Sequence, residues 1–482
     1  MRSFDDIVRA TVADAELQEW LQGYQTVAQE WQRRAHGELG NPEAWRDAVA
    51  AVRRHTIAHL DHYLTEFADN VERAGGTVTF AATAAEARDY VLDLARRMGV
   101  QRVVKAKSMV SEEIGLDEAL RDAGVQVSAT DLGDYIVQLT GEMPYHITGP
   151  ALHMTLPQIQ RVFSRAAGEE LPADAETLVA FARRTLRHEF LTADMGITGA
   201  NIGVASTGTV VLVTNEGNGR MCSTLPPVHV VLMGMERLVP NWASLEPVLT
   251  MLPRAGTGER ATAYVTAITG PRRQSDADGP AELHVVIVDN GRSRILGTKY
   301  QPVLQCIRCG CCADWCPVYR TMGGHAYQSV YTGPIGAVLT PLLRGFDGHE
   351  HLPFASTLCG ACQSACPARV PLADLLLELR ADIVAAGRAQ ASWRAGFKAF
   401  AWLTTHRVAW DALLRTAGTL APLAAPLTRL RTVACRAPRL VRAWTSSRDL
   451  PLPAPHTFAA RWRRGLAREA GTSTAQDSQQ ER

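Results

Sequence analysis

The placement of cysteine is the tightest constraint on this 482-residue chain: none of its ten cysteines precedes Cys222, and eight fall between Cys306 and Cys366. The first group runs Cys306-Ile-Arg-Cys309-Gly-Cys311-Cys312-Ala-Asp-Trp-Cys316-Pro317, and the second Cys359-Gly-Ala-Cys362-Gln-Ser-Ala-Cys366-Pro367. With Cys306, Cys309, Cys312 and Cys316, the first has the spacing C-x2-C-x2-C-x3-C-P, and the second repeats its last three positions. Any fold must bring two short, sulfur-rich turns together across residues 317–358.

Two-residue gaps let one turning loop aim successive sulfurs at three irons of a compact cube. The x3 step then opens a helix whose first position suits proline. This is the bacterial ferredoxin run, in which the fourth Cys ligates the other cluster. The crossed pattern assigns Cys306, Cys309, Cys312 and Cys366 to one [4Fe–4S] cluster, and Cys316, Cys359 and Cys362 to a second. Three residues before Cys359, where a fourth Cys would stand, the chain has Ser356. The Ser356 oxygen, water, another side chain or an open corner, as in a [3Fe–4S] form, are all alternatives for that position. Paired C-x2-C motifs also build zinc sites, but zinc takes four ligands and has no use for two Cys-Pro endings. Cys311 falls between ligands and reads as a bystander thiol, while the isolated Cys222 and Cys435 read as packed small groups. Such clusters pass single electrons and do not by themselves oxidise an organic substrate.

The rest of the chain sets the context. Its 46% hydrophobic and 21% charged composition excludes a disordered or collagen-like chain. The opening Met1-Arg-Ser-Phe-Asp-Asp carries no apolar signal region, and no stretch approaches the ~20 apolar residues of a membrane span. A cytoplasmic protein with reduced thiols is therefore expected. The net charge of +1 hides an asymmetry: residues 391–482 hold 15 Lys+Arg and 5 Asp+Glu, leaving 35 basic and 44 acidic residues before them. Half of the ten Trp (Trp393, Trp402, Trp410, Trp444, Trp462) also lie in that tail. Such a tail suits docking on a partner or peripheral contact with an anionic membrane, although packing of a small helical unit is the commoner reading and no nucleic-acid partner is expected.

Hydrophobic patterning predicts helices over 1–70, then an alternating α/β region over 71–300. Strands are expected at Thr77–Phe80, Arg102–Lys105, Val125–Ser128, Gly203–Asn215, His229–Met233 and Glu282–Asp289. Helices are expected at Ala84–Met98, Ser111–Ala123 and Ala175–Arg187. This texture implies a largely parallel sheet. Residues 301–388 form the cysteine-bearing helical region, ending in a helix at Leu372–Ala386. A basic helical region follows over 389–470, with a proline-rich joint at Leu450–Pro455, and 471–482 read as a disordered end.

Within the α/β region, Gly196–Arg220 is rich in Gly, Ser and Thr around a β run, but holds no complete nucleotide-binding fingerprint. Glu216 is a weak candidate nucleophile or base, with a turn carboxylate the commoner reading. Lys105-Ala-Lys107-Ser108 and Asp131-Leu-Gly-Asp134 follow strands, where α/β sites assemble. His146, His153 and His229 lack metal-ligand spacing and read as ordinary histidines.

The order of VVKAKSM, TGANIGVASTGTVVLVTNEGNGR and STLPPVHV, then CIRCGCCADWCPVY and LCGACQSACP, resembles the lactate utilisation protein B family over nearly the whole chain. The resemblance implies an α/β domain of the LUD class, similar to the NagB/RpiA/CoA-transferase fold, followed by an α-helical ferredoxin-like domain and a helical C-terminal extension. It implies two [4Fe–4S] clusters on the seven cysteines, with Ser356 part of the family pattern; Cys311 departs from it, since small residues are usual there. It also implies a Cys-rich CCG-type subunit and a second LUD-domain subunit as partners. The expected role is electron-transfer subunit of a complex oxidising L-lactate to pyruvate, without complete activity alone. The resemblance leaves open the electron donor and acceptor and the subunit that holds lactate. The alternatives are a subunit of another 2-hydroxy-acid or quinone-linked dehydrogenase, and a CoA-transferase-like enzyme with a regulatory cluster.

Overall fold

Continuous apolar runs such as Val228-His-Val-Val-Leu-Met-Gly234 are what a strand buried on both faces requires, and the centre of this protein is built from them. The computed structural model describes residues 3–389, 391–429, 457–462 and 465. Cys435, Trp444, the Leu450–Pro455 joint and the end beyond Gly471 lie outside the described residues. Met1–Ala386 form one compact unit, and the described residues from Gly387 onward belong to a second. The boundaries expected at 70/71 and 300/301 both fall inside the first unit.

Four helices open the chain at Phe4–Ala13, Ala15–Gly37, Pro42–Ala58 and Leu60–Arg73. Ser3, Asp14 and Asn41 each accept a backbone N–H at the start of the first three, which fixes where those helices begin. The strands that follow are β1 (Thr77–Ala81), β2 (Arg102–Lys105), β3 (Gln126–Ala129), β4 (Met195–Gly199), β5 (Ile202–Val204), β6 (Thr209–Thr214), β7 (Val228–Gly234), β8 (Leu238–Val239), β9 (Tyr264–Ile268) and β10 (Glu282–Val288). Six of them form a wholly parallel sheet in the order β1-β10-β7-β4-β2-β3. The other four form a mixed sheet, β8-β5-β6-β9.

Three details depart from the sequence expectation. The run Gly203–Asn215 is not one strand: it turns back at Gly208, whose φ of +63° pairs β5 with β6. A Cβ at Gly208 would lie 2.4 Å from the Val71 nitrogen, so glycine also lets the hairpin sit on the fourth helix. The stretch over 196–199, read as loop-forming, is the inner strand β4. Its Gly196 allows the Cys222 carbonyl to approach within 1.8 Å of where a Cβ would stand. The helix expected at Ser111–Ala123 breaks at Gly115 (φ +66°) into Met109–Glu113 and Leu116–Asp122.

One apolar core joins the opening helices (Leu21, Val49, Phe67), the mixed sheet (Val210, Val211) and the cysteine-bearing region (Tyr319, Leu339, Leu376). Each such large side chain removed from water contributes about 1.5–3 kcal/mol. This shared core holds the sulfur turns against the α/β layers. In the second unit, helices span Ala391–Thr405 and Arg407–Arg429, with a short one at Phe458–Arg461. Among the described residues Trp393, Trp402 and Trp462 are exposed there. Among the described residues no helix is long and apolar enough to cross a membrane.

Candidate functional site

Each sulfur turn is built by the same local device. In the first, Arg308 (φ +61°) and Gly310 (φ +83°) flank Cys309 in left-handed conformations, and a four-residue helix starts at Cys311. The chain thereby reverses twice within three residues, which turns Cys306, Cys309 and Cys312 toward a common side. In the second, Leu358 (φ +54°) and Gly360 (φ +79°) flank Cys359, and a helix starts at Ala361. Pro317 opens the helix Pro317–Met322, with Cys316 as its cap, accepting the Tyr319 N–H at 3.4 Å. Cys366 likewise accepts the Val370 N–H at 3.4 Å.

The two turns meet. A small cavity is lined by Cys306, Cys309 and Cys312 from the first and by Cys366 from the second, with Ile335 and Leu372 closing it. Burial, and then the charges of Cys306 and Cys366, push the Cys309 thiol far up; burial, then Cys306 and Cys309, does the same to Cys312. Cys366 is pushed up to about 11 by burial and then by Cys306. Cys362 rises to about 12 through burial and then Cys316, with Cys359 adding to the effect. The thiols thus fall into two electrostatic groups, Cys306/309/312/366 and Cys316/359/362, touching through Cys312 and Cys362. Buried thiols crowded in this way ionise together only around a cation, which is the condition of a metal centre.

The surroundings fit an anionic, thiolate-ligated group. Arg53, Arg237 and Arg292 are buried beside the first turn with the partly buried Arg308, and among the described residues the buried carboxylates they face are Glu113 and Glu236. Arg292 pairs with Glu113 at 2.7 Å and with Glu236 at 2.8 Å, and Arg308 reaches Glu236 at 3.1 Å. Burial alone would raise Glu236, but Arg292, Arg308 and Arg237 hold it at about 2. Tyr331 donates to Glu113 and lies under the Arg308 guanidinium at 4.7 Å. Arg53 and Arg237 spend their donors on backbone carbonyls of 304–307, pinning the turn. The Arg308 Nη1 is buried with no partner. An excess of positive charge with an orphaned donor beside four thiols is costly unless negative charge joins them.

A cleft of about 400 Å³ opens at the carboxyl ends of β2, β4 and β7, where Lys107, Asn201, Glu216 and Arg237 meet Arg308 and Cys309. Of the loop positions read from sequence, Lys107, Ser108, Asp131 and Glu216 line it. Lys105 does not: it is buried in ion pairs with Glu112 and, at 2.7 Å, Asp117. The Lys107 Nζ is buried without a hydrogen-bond partner. Burial and then the charge of Asp131 raise Glu216, whose Oε2 accepts the Leu132 N–H at 3.2 Å. Asp134 stands behind this wall, beside Lys107.

The remaining candidates lie outside the cavity and the cleft. Cys311 is buried with its thiol 3.6 Å from Gln32 Oε1 and from the Ala365 carbonyl, outside the cavity. Cys222 is buried against Thr130 at 3.4 Å. His146 pairs with Asp314 at 3.3 Å, His229 bonds Thr198 at 2.9 Å, and His153 lies 2.7 Å from Glu142. Sequence reasoning missed Arg53, Glu113, Glu236, Arg237 and Arg292. Glu236 and Arg237 carry one signal, charge inside the apolar run Val230-Val-Leu-Met-Gly-Met-Glu236-Arg237-Leu-Val, whereas Arg53, Glu113 and Arg292 stand in polar stretches that carry none.

Comparison with known proteins agrees with this layout. Residues 64–288 match the LUD domain and residues 302–370 the 4Fe-4S dicluster domain. A protein of Macrococcus caseolyticus described as "Lactate utilization protein B" is 47% identical, with 94% of this chain and 93% of that one covered. Relatives of the same description in Bacillus velezensis and Bacillus subtilis are 47% and 45% identical over 91% and 95% of this chain, and 93% and 96% of their own. A solved structure of a DUF162 family protein from Deinococcus radiodurans, 16% identical, overlaps 48% of this chain and 98% of its own at a TM-score of 0.25, too low to add anything. With its LUD domain, its iron–sulfur domain and this identity over almost its whole length, the chain belongs to the lactate utilization protein B family.

Proposed function

We propose that this chain is the iron–sulfur electron-transfer subunit of a complex that oxidises L-lactate to pyruvate. The observation that carries the reading is the cavity shared by three cysteines of the first turn and Cys366 of the second. Cys306, Cys309, Cys312 and Cys366 hold one [4Fe–4S] cluster, and Cys316, Cys359 and Cys362 the other, each of which supplies single-electron exchange when bound. The crossing has a physical consequence: neither turn completes a centre alone, so the pair is locked face to face. Arg237 and Arg53 hold the first turn rigid through its carbonyls, and Arg308 brings positive charge to the sulfurs.

The lactate-utilisation names of the relatives supply the substrate, and a Cys-rich subunit and a second LUD-domain subunit are the partners in this reading. The cleft abutting Cys309 is where the α/β domain meets a donor, with Lys107 as anion anchor and Glu216 as proton acceptor.

Anaerobic reconstitution with iron and sulfide tests the centre. A brown chain bleached by dithionite is expected; a colourless chain binding stoichiometric zinc refutes it. Co-purification from lactate-grown cells tests the complex, and a gene deletion that spares growth on L-lactate but abolishes growth on glycolate would transfer the role to another 2-hydroxy acid. A transferase activity of the isolated chain, lost in Glu216→Gln, would instead make it a CoA-transferase-like enzyme.

A further inference from the structure

The two sulfur turns are copies in more than spacing, and the copy extends to the position where the second lacks a cysteine. In the first turn the Arg308 N–H donates to Cys306 Sγ at 3.4 Å; in the second the Leu358 N–H donates to Ser356 Oγ at 3.1 Å. The Cys306 carbonyl accepts from the Arg237 guanidinium at 3.0 Å, and the Ser356 carbonyl accepts from that of Arg380 at 2.8 Å. Each of these residues is half-buried, and each precedes the same pair of left-handed residues around the next cysteine. Side-chain hydrogen bond, carbonyl clamp and backbone path therefore give Ser356 Oγ the same local setting as Cys306 Sγ. Arg380 also donates to the Pro353 carbonyl at 2.8 Å, fixing the chain on the approach to Ser356.

We propose that Ser356 is the fourth protein ligand of the second cluster, bound through Oγ at the corner equivalent to the one Cys306 takes in the first. This rests on the two-cluster reading above. On binding, the hydroxyl proton passes to solvent as the iron–oxygen bond forms, with no change of oxidation state. Oxygen is a harder donor than thiolate and favours the more oxidised, more positive iron. The second centre thus has a lower reduction potential than it would have with a thiolate at that corner.

The test uses the full-length reconstituted protein, with iron content, Mössbauer and electron paramagnetic resonance spectra as readouts. Ser356→Ala loses one hydrogen bond while Arg380 keeps its hold on the carbonyl, so the turn survives. Loss of a single iron on mild oxidation, with the signal of an oxidised three-iron cluster absent from the wild type, is the expected result. Ser356→Cys should keep the full iron content and shift the midpoint potential of the second centre upward, leaving the first unchanged. A three-iron signal already present in the wild type, or identical spectra in the wild type and Ser356→Ala, overturns the proposal. So does iron loss in Thr357→Val but not Ser356→Ala. A wild-type chain with no iron–sulfur signal at all would refute the two-cluster reading itself, a distinct outcome.

Discussion

The two sulfur turns share a backbone but not a setting. The first is enclosed by the α/β domain: Glu236 and Arg237 follow β7, Arg292 follows β10, and Arg53 comes from an opening helix. The second lies nearer the surface: Cys359 is exposed although Cys362 and Cys366 are buried, and Arg369, three residues after Cys366, is held in half-exposed ion pairs to Glu43 and Asp47. The Cys359 thiol is held below its usual range by hydrogen bonds from Thr357 and the Ala361 N–H, where burial lifts its counterpart Cys309. One spacing thus serves as an interior fixture beside a cleft and as a centre near the surface.

The comparison breaks most severely at the crossing. Under the proposed ligand assignment, Cys366→Ala should lower the iron content per chain and the melting temperature, because the inner centre then draws a ligand from the outer turn. Cys311→Ser should leave iron content unchanged, as measured on the same preparations. Next in size is the inner charge network. Arg308→Met leaves Glu236 Oε1 without its guanidinium partner while Arg292 stays paired to Oε2, and should cost about 1–3 kcal/mol in denaturant unfolding. The inner region also carries a pH response. Burial pushes Asp134 up to about 7, with Lys107 and Lys105 opposing and Asp131 and Glu112 reinforcing. The folded state therefore holds a proton that the unfolded state releases near pH ~3.9. That contribution is complete at low pH and is lost as pH rises through about 7. Asp134→Asn should flatten the melting temperature across that window; an unchanged slope would remove Asp134 as its source. The smallest effect belongs to the outer turn, where Arg369→Ala should change stability by less than about 1 kcal/mol.

Much of the site was legible because its determinants are local. Cys306 to Cys316 and Cys359 to Cys366 announce their geometry through spacing, and the same spacing marks Ser356 as the odd position. The parallel strands were readable where apolar residues run on, as in β7 and β10. Strand β4 was not, because its two glycines depress strand propensity and only close packing, of Gly196 against Cys222 and of Gly199 against Ser108, explains them. Glu216 and Lys107 were found by their position after strands, but which of the paired lysines faces the cleft depended on Glu112 and Asp117 claiming Lys105.

By itself the sequence determined which atoms present themselves as ligands and how each turn bends, since left-handed glycines and Cys-Pro steps act within a few bonds. Only the tertiary structure decided that four arginines and two glutamates from segments scattered over 53–308 close around the first turn. Backbone sterics are set by neighbours in the chain, whereas the burial of a charge depends on what every other segment brings to the same place. The copied turns are therefore written in the sequence, and the difference between them is made by the fold.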